Sequence, residues 1–210
     1  MNILILLRHG QSLWNLENRF TGWKDVALSK KGIEEAVNAG KLMSKKNIII
    51  DMIFCSVLQR AIETAKLAIL EMNLKNLWNE KNELIMIKNQ ALNERDYGDL
   101  VGLNKEETAN KFGKEQVHLW RRSFKVSPPG GESLKNVVER VKPYFESKIL
   151  PELKKQKNIL ISAHGNSLRA MMICVGLYKA EDISKIELPT GIPFILDYEE
   201  NKLIKSEYLV

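Results

Sequence analysis

Two of the chain's three histidines end apolar runs, and each is followed by glycine. Ile3-Leu4-Ile5-Leu6-Leu7 leads into Arg8-His9-Gly10, and Ile159-Leu160-Ile161 leads into Ala163-His164-Gly165. In open α/β sheets, ligands bind beyond the carboxyl ends of the strands. Glycine there lets the backbone turn and approach a ligand closely. The helix that follows presents unpaired N–H groups to an anion. A neutral imidazole nitrogen can attack phosphorus and carry a phosphoryl group, provided that cations and N–H donors stabilise the equatorial oxygens. His9 is therefore the candidate nucleophile, and Arg8, Arg60 and His164 are the candidate stabilisers. Arg60 follows the apolar run Ile48 to Cys55, so a parallel sheet can bring it to the same edge. The competing reading, an ordinary strand-end histidine, loses ground because the neighbours all suit an anion.

Phosphoryl transfer to and from a hydroxyl also needs a group that gives and takes a proton. Glu94, in the loop-like Leu92-Asn-Glu-Arg-Asp-Tyr-Gly98, can do that work if partly desolvated, or it can simply pair with Arg95. Trp120-Arg121-Arg122 presents two adjacent arginines whose side chains diverge on a helix, so one is expected to meet the ligand and the other solvent. His118 has neither glycine nor a strand end beside it and reads as structural. Asp51 and Asp182 read as loop and cap residues. Two cysteines and three scattered histidines form no zinc-ligand spacing.

Alternating strands and helices must position these groups. Residues 2–7 read as a buried strand, Ser29 caps a helix through Met43, and Ile33, Ala36, Val37, Gly40 and Met43 form its inner face. Ile48 to Cys55 reads as a second strand, Ser56 as the cap of a helix to about Met72, and Glu83 to Ile87 as a short third strand. Lys105 to Phe124 reads as short helices. Ser127 to Gly131 is a turn before a long helix that Pro143 and Pro151 kink or end. Asn158 to Ala163 is the fourth strand, with a helix from about Ser167 to Val175. Phe194 to Tyr198 and Leu203 to Tyr208 are late edge strands. The expected architecture is a three-layer α/β domain spanning 1–210, with a mainly parallel sheet, helices on both faces and an antiparallel edge strand.

Composition narrows the function further. The 210 residues carry a net charge of +6, yet the lysines are spread along the chain, with no basic run or aromatic–basic alternation. No nucleic-acid partner is therefore expected. No apolar run reaches the ~18 residues of a membrane span, so no membrane partner is expected. The apolar start is too short for a signal peptide. The two cysteines fit a reducing compartment, so the cytoplasm is the expected location. Only eight of the 32 basic residues are arginines. Where lysine serves as the general cation, a retained arginine points to use of its planar, bidentate fork.

Longer motifs occur in order along nearly the whole chain: Arg8-His-Gly-Gln-Ser-Leu-Trp-Asn15, Asn18-Arg-Phe-Thr-Gly-Trp23, Leu92 to Gly98, Gly102-Leu-Asn-Lys105, Trp120-Arg-Arg122 and Ala163-His-Gly-Asn-Ser-Leu-Arg169. With them the chain resembles the 2,3-bisphosphoglycerate-dependent phosphoglycerate mutases of the histidine phosphatase superfamily. The Arg-His-Gly motif alone would indicate only the superfamily, phosphatases included. The resemblance implies that His9 is the phosphorylated nucleophile, Glu94 the proton carrier and His164 the transition-state stabiliser. It implies a phosphate pocket formed by Arg8 to Asn15, including Gln11, Ser12 and Asn15, together with Thr21, Gly22 and Arg60. Arg95, Tyr97, Lys105, Arg121, Arg122, Gly165 and Asn166 would hold the rest of a small phosphorylated carboxylate. The implied reaction interconverts 3-phosphoglycerate and 2-phosphoglycerate, with 2,3-bisphosphoglycerate as the priming donor and no metal.

Four departures from the family pattern carry expectations of their own. Asp96 stands where many members have histidine, and Gln11 where many have glutamate; both would tune the pocket. The Pro129-Gly130 junction lacks a longer loop. The chain ends at Val210 without the family's usual C-terminal tail, which implies easier access of water to phosphohistidine and more bisphosphatase leakage. A homodimer is expected, with a monomer as the alternative. Two rival readings remain open: a phosphatase of the same fold, which would not need Lys105, Arg121 and Arg122 to retain a bisphosphate, and a non-catalytic binding module.

Overall fold

The computed structural model describes residues 1–210. Its central sheet begins with β1 (Asn2–Arg8), whose burial on both faces follows from its unbroken apolar run. Leu4 and Leu6 point into one core and Ile5 and Leu7 into the other, so successive residues of a single strand feed two separate apolar layers. β2 (Met52–Cys55), β3 (Ile87–Lys88) and β4 (Ile159–Ala163) join it in parallel pairings, while β5 (Pro193–Glu199) and β6 (Lys202–Tyr208) add antiparallel on the far side. The six strands lie in the order β3-β2-β4-β1-β5-β6. Helices α2 (Lys30–Lys45) and α3 (Gln59–Met72) cover one face, and α6 (Leu134–Tyr144) and α8 (Gly165–Cys174) cover the other. A short α1 (Leu13–Leu16) follows β1, and α4 (Lys105–Phe112) and α5 (Lys114–Arg122) lie away from the sheet with their own small cluster of Phe20, Leu100 and Val117. No helix is long and apolar enough to cross a membrane.

The expected layers are present, and the two late strands lie antiparallel at one edge. Local differences have physical causes. The third strand shrinks to Ile87–Lys88 because Asn79 Oδ1 accepts from the N–H groups of Lys81 and Glu83, and Ile85 N–H turns to Leu77 C=O instead of the sheet. The second strand starts only at Met52. Ile33 is 44% exposed, and the inner face of α2 is made instead by Gly32, Ala36, Ala39, Gly40 and Met43. Small residues are required there: a Cβ at Gly40 would lie 2.2 Å from Ala68 C=O of α3. Pro143 does not end its helix: α6 runs on to Tyr144, and a π-type turn over Phe145–Ile149 carries the chain into α7 (Leu150–Lys154).

Candidate active site

Three parallel strand ends form the floor of the site. The β1–β4 register pairs Arg8 with Ala163, so the next residues, His9 and His164, emerge side by side with ring centroids 4.9 Å apart. The β2–β4 register pairs Cys55 with Ser162, which brings Ser56 to the same edge. Gly10 is needed for backbone approach, since a Cβ there would sit 2.1 Å from Gly32 C=O at the start of α2. Its N–H donates to Thr64 Oγ1 of α3 at 3.0 Å, tying the strand end to the helix that carries Arg60.

His9 is 3% exposed, and its Nδ1 lies 2.7 Å from Gly10 C=O. A carbonyl only accepts, so Nδ1 carries the proton and Nε2 keeps its lone pair. Burial, then the charges of Arg60 and Arg8, hold the imidazole well below its usual range, so it is neutral at pH 7. His164 is fully buried behind it and does not line the cleft. Its Nε2 lies 2.8 Å from Ser56 Oγ, whose own hydroxyl donates to Asn93 Oδ1 at 2.8 Å. Ser56 can therefore only accept from the ring, which puts the His164 proton on Nε2 and leaves Nδ1 without a protein partner. Burial and then Arg60 hold His164 well below the usual imidazole range.

Over this floor opens a cleft of about 190 Å³, below the ~300–1,000 Å³ of drug-sized pockets and suited to a small metabolite. Seven cationic side chains line it, from Arg8, Arg19, Arg60, Lys105, Arg121, Arg122 and Arg169, against the carboxylates of Glu94 and Glu187. Arg60 is 1% exposed and is gripped by the carbonyls of Lys24 and Gly22 at 3.0 and 2.9 Å. Burial lowers it to about 10, which leaves it charged at neutral pH. Three buried donors lack a protein partner here: Arg8 Nε, Thr21 Oγ1 and Arg60 Nε. Buried polar groups are normally hydrogen-bonded, so this set fits a tetrahedral oxyanion. Glu94 accepts at Oε1 from Arg95 N–H at 2.7 Å and from Asn166 Nδ2 at 2.9 Å. Burial pushes its carboxyl up, but these hydrogen bonds with the charges of Arg60 and Arg8 outweigh burial and hold it below the usual range.

Asn15, Thr21, Gly22, Tyr97, Lys105, Gly165 and Asn166 all line the cleft. Three predicted ligands lie outside it. Gln11 is turned to α2, its N–H donating to Glu35 and its Oε1 accepting from Ser29 Oγ. Ser12 caps α1 in a reciprocal pair with Asn15. Arg95 is fully buried and supports the site from behind, donating to Tyr97 Oη at 3.0 Å and Arg121 C=O at 2.8 Å. Both Arg121 and Arg122 reach the cleft, because α5 ends at Arg122 and its last turn faces the opening. Ser56 serves His164 instead of capping α3, whose N-cap is Leu58. Arg19, Phe20, Arg169 and Glu187 line the cleft without having been singled out as ligands. The scarcity of arginine was the available signal for Arg19 and Arg169. Nothing local marks Glu187, which pairs with Arg122 and lies 3.7 Å from Arg169 across a tertiary contact.

The pattern of the histidine phosphatase superfamily (branch 1) matches residues 4–208. The chain is 44% identical over 210 residues to a 2,3-bisphosphoglycerate-dependent phosphoglycerate mutase of Parvibaculum lavamentivorans, covering 100% of this chain and 97% of that protein. It is 48% identical to the protein of the same name from Protochlamydia amoebophila, covering 97% and 98% of the two chains. A solved mycobacterial glucosyl-3-phosphoglycerate phosphatase superposes with a TM-score of 0.79 at 22% identity, over 100% of this chain and 98% of that one, which speaks to the fold alone. The chain belongs to the histidine phosphatase superfamily, branch 1, and within it to the 2,3-bisphosphoglycerate-dependent phosphoglycerate mutase family.

Proposed function

We propose that the chain interconverts 3-phosphoglycerate and 2-phosphoglycerate through a phosphohistidine at His9, primed by 2,3-bisphosphoglycerate. One observation carries the reading: a buried, neutral His9 with a free Nε2 lone pair stands beneath a cleft lined by seven cations. In priming, Nε2 forms a bond to phosphorus as the P–O bond to the leaving alkoxide breaks, and Glu94 supplies the alkoxide's proton. In the return step, Glu94 takes the proton of the acceptor hydroxyl as its oxygen attacks the phosphoryl group on His9. Its depressed pKa makes the carboxylate the resting form, ready to take the acceptor's proton. That proton then goes to the leaving oxygen when the bisphosphate rephosphorylates His9, and in the first priming it comes from solvent by way of Glu94. Arg8 and Arg60 meet the charge on the phosphoryl oxygens. His164 acts from behind His9 through its ring nitrogen Nδ1, which donates once the phosphoryl charge has drawn a proton to it. Lys105, Arg121, Arg122 and Arg169 hold the carboxylate and the second phosphate while the bisphosphate reorients. The enzyme works as a single catalytic domain in the cytoplasm, as a homodimer and without a metal.

The test is incubation with 2,3-bisphosphoglycerate, followed by a search for acid-labile phosphate on His9, with mutase turnover assayed in EDTA. We expect labelling and turnover in the parent, and neither in His9→Ala. Labelling that survives His9→Ala, or turnover that EDTA abolishes, would overturn the mechanism. Bisphosphate hydrolysis outrunning mutase turnover would favour the phosphatase reading.

A further inference from the structure

Glu94 lies in an irregular stretch, between a 3₁₀ turn ending at Leu92 and another beginning at Gly98, so no helix or strand ladder fixes it. The only side chain that grips this loop from several sides is Arg140 of α6. Its Nη1 donates to Ala91 C=O at 2.7 Å, and its Nη2 donates to Asn93 C=O at 3.1 Å and Glu94 C=O at 3.0 Å. The other edge of the guanidinium is held by both oxygens of Glu132, from Nε at 2.8 Å and from Nη2 at 2.9 Å. Glu132 closes the frame further along the same loop: its Oε2 accepts from Asp96 N–H, and its own N–H donates to Asp96 C=O, both at 2.9 Å. Trp23 completes it, donating from its indole to Glu94 C=O at 2.6 Å while the guanidinium sits 5.6 Å from its ring.

Arg140 does not line the cleft, and its side chain is 19% exposed. Its fork is directed at backbone carbonyls, which carry no ligand chemistry. A lysine offers a single point charge on a flexible stem and cannot replace the planar fork. The Glu94 carbonyl receives two donors, from Arg140 and Trp23, while the carboxylate is held by Arg95 N–H and Asn166. Backbone and side chain of one residue are thus fixed independently.

We propose that Arg140, locked by Glu132, is a positioning residue that holds the Glu94 carboxylate at the reacting oxygen. The inference rests on the reading of Glu94 as proton carrier. A misplacement of ~1 Å in such a group can cost ~10²-fold in rate.

The test measures single-turnover phosphorylation of His9 from two donors in the parent, Arg140→Met, Glu132→Gln and Glu94→Gln. One donor is 2,3-bisphosphoglycerate, whose alkoxide leaving group needs a proton. The other is p-nitrophenyl phosphate, whose phenolate leaves as a stable anion. Arg140→Met is expected to slow the first reaction by ~10²-fold and the second by less than about threefold, and Glu132→Gln by ~10-fold with the same asymmetry. Glu94→Gln should show the asymmetry at ~10²–10⁴-fold. Equal slowing with both donors in Arg140→Met and Glu132→Gln, or no slowing in either, overturns the positioning role. If Arg140→Met does not fold, Glu132→Gln decides, because it loosens the fork while keeping the volume. Should Glu94→Gln show no asymmetry, the proton-carrier reading itself fails. Failure to phosphorylate from p-nitrophenyl phosphate in the parent moves the same comparison to the pH profile of the first donor. There a shifted limb in the Arg140 and Glu132 variants supports the role, and an unshifted one overturns it.

Discussion

The two walls of the cleft are built on different principles. The strand-end wall has Arg8 and His9, placed by parallel pairing that sets Arg8 opposite Ala163, and Arg60 from the first turn of α3, with His164 buried behind His9. His9, Arg60 and His164 are almost wholly buried, Arg8 is half-buried, and Arg8 Nε, Arg60 Nε and His164 Nδ1 wait without protein partners. The opposite wall of Lys105, Arg121, Arg122, Arg169 and Glu187 comes from α4, α5, α8 and the segment before β5, and Glu187 is 67% exposed at its side chain. Both walls present cations, but the first places the almost wholly buried Arg60 beside His9 in a low-dielectric setting, where charge stabilisation is strongest. On the second, Arg169 is buried and Arg121 is exposed. This difference supports the proposed division, with bond making at the strand-end wall and holding and selecting at the opposite wall.

Breaking the comparison starts with Arg60. Arg60→Gln should lower the rate of His9 phosphorylation by ~10²–10³-fold, the cost of losing a preorganised donor to developing charge. A loss confined to KM would place Arg60 with the holding wall.

Stability against pH sharpens the same contrast. Both buried histidines have folded pKa values well below the unfolded value, and burial is the largest cause. Below about pH 6.5 the unfolded chain takes up protons at these positions while the folded chain resists, so stability falls as pH drops from there toward the folded values. Each histidine contributes a slope of up to ~1.4 kcal/mol per pH unit in that window. Denaturant unfolding between pH 7 and 5 should show the decline, and His164→Gln should reduce its slope. An identical slope in the variant would mean that His164 is not held neutral by the fold.

The smallest effect is expected at the other wall. Arg121→Gln should raise KM for phosphoglycerate about fivefold, the scale of an exposed ion pair of ~1 kcal/mol, and leave single-turnover phosphorylation of His9 nearly unchanged. Steady-state and single-turnover kinetics on one preparation check both halves. A larger loss in turnover than in KM would erase the division of labour.

Arginine usage shows how much was legible in advance. Six of the eight arginines line the cleft, whereas Lys105 is its only lysine. The remaining two, Arg95 and Arg140, grip the backbone and side chains just behind it. Residue type thus pointed to the whole constellation. It did not separate ligands from supports, because Arg95 and Arg121 look alike until burial is known. Gln11 and Ser12 stood within a motif of the pocket, yet their side chains turn to α2 and α1, since a strand end followed by a tight turn points successive residues in different directions.

What the sequence determined by itself was the chemistry and the layers. Apolar runs ending in His-Gly demand buried strands with reactive groups at their carboxyl ends, and period and glycine placement are local properties that a chain carries in its letters. Tertiary structure alone decided which strand lies beside which, and so put His9 against His164 and Ser56 within reach of His164. It also placed Arg140, 46 residues beyond Glu94, beneath the loop, and paired Glu187 with Arg122. Those pairings depend on the packing of two cores around one sheet, and no local preference encodes a partner so distant along the chain.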